Sequence, residues 1–188
     1  MRRSAAESLN GQAQTLVAAA TAVANWFRRP APSALSAART ARLRALGWRE
    51  TATDALKTIR GATKTDGADL SYALREAVEH SVQAVSEAAR YGVDSDDGLL
   101  QTAEAVREAA KFLAAAAAGR GRTRADALVE SKRWALEAER LRRWVRADAH
   151  DQTSVVRALK RETVSTRLSN AAAAVQEACD ALAGTLAE

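Results

Sequence analysis

Residues 73–92 read Ala-Leu-Arg-Glu-Ala-Val-Glu-His-Ser-Val-Gln-Ala-Val-Ser-Glu-Ala-Ala-Arg-Tyr-Gly, and their periodicity decides the fold. Leu74, Val78, Val82, Val85 and Ala89 recur every three or four positions, whereas Glu76, His80, Gln83 and Glu87 fall on another side. One apolar stripe and one polar stripe at that spacing describe an amphipathic helix. Gly92 then stands where a left-handed C-terminal cap would close it. The rest of the chain has the same character. Of 188 residues 47 are Ala, against 18 Leu, 13 Val and one Ile, and aromatics make up 4%. Alanine has the highest helix propensity, and the β-branched and aromatic residues that favour strands are scarce. With two prolines and nine glycines as the main breaks, long helices are expected. The fold class is all-α, and sandwiches, barrels and Rossmann-type sheets are excluded.

Start and stop signals divide the chain into six helices. Ser4-x-x-Glu7 is a capping box, and the helix it opens runs to about Arg28, before Pro30-Ala-Pro32. The second is expected from about Ser33 to Arg60, ending at Gly61 and the polar stretch Thr63 to Gly67. The third starts near Asp69 and continues to Tyr91. Asp94-Ser-Asp-Asp97 caps the fourth, which ends before Gly119-Arg-Gly121. Thr123-x-x-Asp126 reads as a second capping box for a helix reaching about Ala149, and the sixth runs from about Ser154 to Leu186. Long helices joined by short loops pack as antiparallel neighbours in a bundle. In the fifth, Trp134, Ala138, Leu141 and Val145 supply the core stripe, and Ala-rich stripes let helix axes approach closely. The chain is long enough for one domain, residues 1–188. Val82-Gln-Ala-Val-Ser-Glu-Ala-Ala89 lies 93 residues before Val175-Gln-Glu-Ala-Cys-Asp-Ala-Leu182, about half the chain. That match suggests two pseudo-repeated three-helix halves, about 1–92 and 93–188.

The net charge is +5, with 23 of the 28 basic residues being Arg. Acidic residues interleave with the arginines at helical spacing, as in Glu139/Arg143 and Arg133/Glu137, so a solvated helix surface is expected instead of nucleic-acid binding. One cysteine, Cys179, excludes an intrachain disulfide and fits a reducing compartment. After the basic Met1-Arg2-Arg3, residues 4–15 carry Ser, Glu, Asn and Gln where a signal peptide would be apolar. The longest near-apolar runs, Leu16 to Ala24 and Phe112 to Ala118, are too short to span a bilayer. The expectation is a cytoplasmic protein with no direct membrane insertion.

Catalytic machinery is not legible. There is no Gly-rich phosphate loop and no nucleophile elbow, and neither His80 nor His150 sits at zinc-site spacing. A ferritin-like di-metal enzyme would need Glu-x-x-His on two helices, and Ala77 and Ala147 occupy the glutamate positions. The chain is therefore read as a non-enzyme. Carboxylates one helical turn apart do stand out, namely Glu50/Asp54, Glu76/Glu79 and Glu177/Asp180, together with Glu137/Glu139. Such pairs project from one side of a helix, and two facing helices can hold a hard cation in oxygen ligands. In a chain with 27% charged residues such spacings also arise without function.

Several stretches resemble the PhoU family, in particular its short branch of accessory proteins to Pit-type inorganic phosphate transporters. Gln12 to Ala20 is similar to that branch's first helix, and Ala73 to Glu79 continuing to Tyr91-Gly-Val93 fits its Ala-Leu-Asp-Asp-x-x-Asp helix ending in Tyr-Gly-Ile. Glu137-Ala-Glu-Arg-Leu141 resembles the second-half Glu-Ala-Asp-Arg-Ile, and Leu168 to Glu188 resembles the closing helix. The resemblance implies a six-helix bundle of two halves, and a cytoplasmic regulator that touches a transporter at the membrane periphery. It also implies metal clusters on repeated Glu/Asp-x-x-x-Asp motifs.

The motif is incomplete here. Glu50 and Asp54 keep both acids, and Glu76 and Glu79 supply two of the three on helix three, with Arg75 in place of the other. In the second half Ala135 takes the acidic position before Glu139, and Ser169 and Ala173 replace both acids of helix six. The segment between helices two and three is about ten residues shorter than the family's, reduced to Thr63-Lys-Thr-Asp66. A hard cation needs about six oxygen ligands, and an Arg puts a permanent positive charge in their place. Metal binding is thus expected to be absent, or weak and confined to Glu50, Asp54, Glu76 and Glu79 with a divalent or ferric ion. Trp26, Trp48 and Trp144 are the candidates for a self-association surface, as in a homodimer. An unrelated helical adaptor without a phosphate role remains the alternative.

Overall fold

The computed structural model describes residues 4–57, 62–149 and 154–184. Among them are six α-helices and no strand: α1 Ala5–Arg28, α2 Pro32–Leu56, α3 Ala62–Tyr91, α4 Asp97–Ala118, α5 Gly121–Ala149 and α6 Val155–Gly184. The local signals act as their chemistry requires. Ser4 Oγ accepts from the Glu7 amide at 3.2 Å while Glu7 Oε2 accepts from the Ser4 amide at 2.8 Å, which satisfies two otherwise orphaned donors. Pro32 opens α2, where its missing N–H costs nothing. Gly92 takes φ +60 after α3, and the Val93 amide reaches back to the Ala88 carbonyl at 3.0 Å.

Two boundaries differ from the sequence reading. Helix α3 begins at Ala62, well before Asp69, so the stretch read as a polar loop is helical. Gly67 lies inside it because a Cβ there would stand 2.7 Å from Leu56 Cδ2; the glycine is a packing notch, not a breaker. Thr123 and Asp126 lie within α5, which starts at Gly121 with φ +52, so they do not cap it. Arg124 instead turns back, its Nε donating to the carbonyls of Ala116 at 3.1 Å and Gly119 at 3.0 Å, where α4 leaves carbonyls without helical partners. The ends expected at Arg60 and Leu186 lie outside the described residues.

Helix α1 packs on α2, α3 and α4; α6 packs on α3, α4 and α5; α2 touches α3, and α4 touches α5. Helices α3 and α6 run antiparallel, with Gly184 beside Asp66 at one end and Lys160 Nζ donating to the Tyr91 carbonyl at the other, 3.2 Å away. The larger core cluster runs through all six helices and is mostly alanine, with Leu16, Leu74, Leu113 and Val175 among its bulkier members. A second cluster sits where α3 turns into α4, built on Phe27, Val85, Leu99, Val145 and Leu168. Leu74, Val78, Val82 and Val85 are buried as their stripe requires, while Ala89 is half-buried and its neighbour Ala88 takes the core position. In α5, Ala138 and Val145 are buried, and Trp134 and Leu141 are half-buried.

Burial recurs along α3 and α6, each of 30 residues. Leu70, Ser71, Leu74, Ala77, Val85 and Ala88 are buried, and so are Val164, Ser165, Leu168, Ala171, Cys179 and Leu182, each 94 positions later. The sequence match at 93 is one residue off this register. One residue turns a helix by about 100°, and at 93 the buried Ala84 would correspond to the exposed Glu177.

Asp96 ties three helices together. Its Oδ1 accepts from the Leu99 amide at 2.9 Å, capping α4, and its Oδ2 accepts from Arg161 Nε at 2.7 Å. Arg161, 5% exposed, also donates to the Val145 carbonyl of α5 at 3.4 Å. Asp96→Ala removes both the cap and one partner of a buried guanidinium, and is expected to cost about 2–3 kcal/mol in urea unfolding. Asp96→Asn keeps an acceptor for the Leu99 amide and is expected to lose about half as much; equal losses in the two variants would show that the cap contributes nothing.

Candidate functional site

The four acids expected to form a first-half metal site lie on the antiparallel pair α2 and α3. Glu50 and Asp54 are exposed on α2, where Asp54 Oδ1 accepts from Lys57 Nζ at 2.7 Å. On α3, Glu76 and Glu79 are half-buried, and each is engaged by an arginine. Glu76 Oε1 bonds the guanidinium of its neighbour Arg75, and Glu76 Oε2 is 3.8 Å from His80 Nε2. Glu79 Oε2 accepts from Arg42 Nε of α2 at 2.7 Å, and its Oε1 accepts from Gln83 Nε2 at 3.1 Å. Arg42 lies opposite Glu79 and Leu56 opposite Gly67, so Glu50 and Asp54 are level with the earlier part of α3, away from Glu79. Asp54, Glu76 and Glu79 therefore sit in separate ion pairs, and Glu50 lies exposed on α2. Among the described residues no group of three or more His, Cys, Asp or Glu side chains is placed to hold a metal ion. A cation entering between Glu76 and Glu79 would first have to displace two arginines, which carry the same sign of charge.

The second half is filled differently. Ala135 and Ser169 are buried, and Ser169 Oγ donates to Glu139 Oε1 at 2.9 Å, so a hydroxyl meets the carboxylate between α5 and α6. Farther along α3, Glu87 accepts from Arg167 of α6 at 3.1 Å. The polar stripe of α3 thus faces α2 through Arg42 and α6 through Arg167, and its chemistry is that of interhelical ion pairs.

Other titratable groups are tuned by their neighbours. Burial acts to raise the Glu108 carboxyl, but hydrogen bonds and charge from Lys111 and Arg107 outweigh it and hold the group below its ordinary value. The bidentate hydrogen bond from Arg140 lowers Glu137. Burial raises the Cys179 thiol, which sits 3.2 Å from Ser131 Oγ, so it stays protonated and is no nucleophile at neutral pH.

A cleft of about 450 Å³ opens where α3 turns into α4 and meets the start of α6. Tyr91, Val93 and Asp94 line one side; Val156, Arg157 and Lys160 line the other. Reading along the sequence did not find it, because its walls, residues 91–96 and 154–161, are far apart in the chain and meet through the antiparallel pairing of α3 and α6. The legible signal was the basic, apolar composition of 155–161. No family model matches the chain, and no curated protein matches it.

Two outcomes follow from these surroundings. Protein incubated with excess iron(II) or zinc and then desalted is expected to carry well under one metal per chain by mass spectrometry; stoichiometric metal lost in Glu76→Gln would overturn the ion-pair account. Cys179 is expected to react with a thiol reagent such as Ellman's only after denaturant is added. Prompt reaction in the native protein would show that its burial is broken by local opening.

Proposed function

We propose that the chain is a non-enzymatic, PhoU-like accessory protein of inorganic phosphate transport that acts by protein–protein contact with a Pit-type transporter. The observation that carries the reading is the pattern of helix neighbours. Exchanging α1, α2 and α3 with α4, α5 and α6 leaves every neighbouring pair a neighbouring pair. A bundle of two equivalent three-helix halves, about 1–92 and 93–188, has this property, and the 94-residue burial register of α3 and α6 supports it. Both features agree with the architecture that the sequence resemblance implies.

The reading needs a docking face. Leu43 on α2 is 70% exposed and Leu136 on α5 is 59% exposed, one on the second helix of each half. Leu46 and Val129 extend the same two helices' exposed apolar surface. Apolar side chains at the centre of a polar helix surface are what a helical partner takes up. No described helix is long and apolar enough to cross a membrane. In this reading the protein is cytoplasmic and peripheral, and the carboxylates Asp54, Glu76 and Glu79 have passed from metal ligands to ion pairs with lysine and arginine.

Affinity-tagged protein is expected to co-purify with a Pit-type transporter from detergent-solubilised membranes, and Leu43→Asp with Leu136→Asp to lose it. Deletion of the gene is expected to change phosphate uptake at least twofold. Normal uptake without co-purification would overturn the reading in favour of an unrelated helical adaptor.

A further inference from the structure

Nine large apolar side chains are exposed among the described residues, and four of them gather at one end of the bundle. Trp144 is 54% exposed near the end of α5, and Val155, Val156 and Leu159 are 73%, 62% and 58% exposed on the first turns of α6. Trp144 and Val156 border the start of α4. Trp144 Cζ3 lies 3.1 Å from the place a Cβ would take on Gly98, and Val156 lines the cleft with Asp94 and Asp96. Arg146 Nε, 3.4 Å from Glu162 Oε1, links α5 to α6 at this end.

The apolar groups are set among cations. Residues 140–163 hold seven basic and three acidic side chains in a chain of net charge +5. Arg142, Arg143 and Arg146 flank Trp144, and Arg157 and Lys160 flank Val156 and Leu159. On the facing turn, Asp96 is committed to Arg161 and the α4 cap, leaving Asp94 and Asp97 as its acids outside those bonds.

We propose that this end of the bundle is an interfacial docking surface for an anionic lipid membrane. Indole and aliphatic groups enter the headgroup boundary, while arginine and lysine heads meet lipid phosphates. Neither signal anchors a protein alone, but a few apolar contacts combined with a basic surface do. A second copy of the chain is disfavoured as the occupant, because an isologous pairing would bring two patches of the same positive sign together. Nucleic acid would leave Val155, Val156 and Leu159 without use, since it offers phosphates and stacking faces. The surface does not depend on the transporter reading, and its test contains no transporter.

The full chain is mixed with vesicles of phosphatidylcholine alone, or of phosphatidylcholine with phosphatidylglycerol, and sedimented. Sedimentation is expected with the anionic vesicles only, declining as salt is raised. Arg143→Gln with Arg157→Gln is expected to weaken it by about tenfold, two charges near an anionic surface being removed. Val155→Ser with Val156→Ser, at side chains too exposed to threaten folding, is expected to weaken it several-fold, and Leu43→Ser on α2 to leave it unchanged. Equal sedimentation with neutral vesicles, no sedimentation with either, or anionic binding that both double variants retain within twofold would overturn the proposal.

Discussion

Close approach of helix surfaces is the constraint on which the rest of the structure depends. Most of the buried apolar positions are alanine, and a methyl group holds two backbones apart far less than a leucine does. At such separations each larger side chain needs a matching notch on its neighbour. Trp48 of α2 covers Gly11 of α1, Leu56 covers Gly67 of α3, and Val145 with Trp144 covers Gly98 of α4. In each case a Cβ on the glycine would stand 2.6–2.7 Å from the covering side chain, inside contact distance. Alanine buries little area apiece, so stability rests on many well-fitted small contacts instead of a few large anchors.

The same closeness shapes the electrostatics. Helices packed this tightly bring polar stripes against their neighbours, half out of water, and a half-buried carboxylate needs a partner. Along α3 the partners are Arg75, Arg42 and Arg167, and across α5 and α6 a serine hydroxyl bonds Glu139. An arrangement that in a metal-binding bundle would converge acids on a cation here distributes them among arginines. The preference for Arg over Lys fits, because a planar guanidinium with several donors satisfies a carboxylate in a confined place better than an ammonium does.

The ends of the bundle differ from its sides. Along the sides, exposed apolar groups come in pairs on single helices, Leu43 with Leu46 on α2 and Val129 with Leu136 on α5. At the end where α3 turns into α4, a buried ion pair between Asp96 and Arg161 fixes three helices, and around it lie a cleft, an exposed tryptophan and a basic helix start. A rigid base under a surface rich in apolar and cationic groups suits recognition, since little ordering is needed when a partner arrives.

Sequence alone determined that the chain is all-α, that it has six helices, and where most of them start and stop. Those features follow from local physics: alanine's propensity, the three-and-four spacing of Leu74, Val78, Val82 and Val85, the Ser4/Glu7 capping box and Gly92. It also exposed the carboxylate pairs and the arginine that interrupts them. What it misread were positions whose role is set by another helix. Gly67 looked like a breaker because the partner that requires it, Leu56, comes from α2. Identical letters in Ala-rich helices recur by composition, as at 93 between α3 and α6, whereas burial along these two helices, which counts neighbours, recurs at 94. Only the tertiary structure decided that Glu76 and Glu79 each meet an arginine, and that Val156 and Trp144 flank the same turn. Periodicity tells which face of a helix is buried; which side chains meet across that face depends on axial register, and that is set by packing between helices distant in sequence.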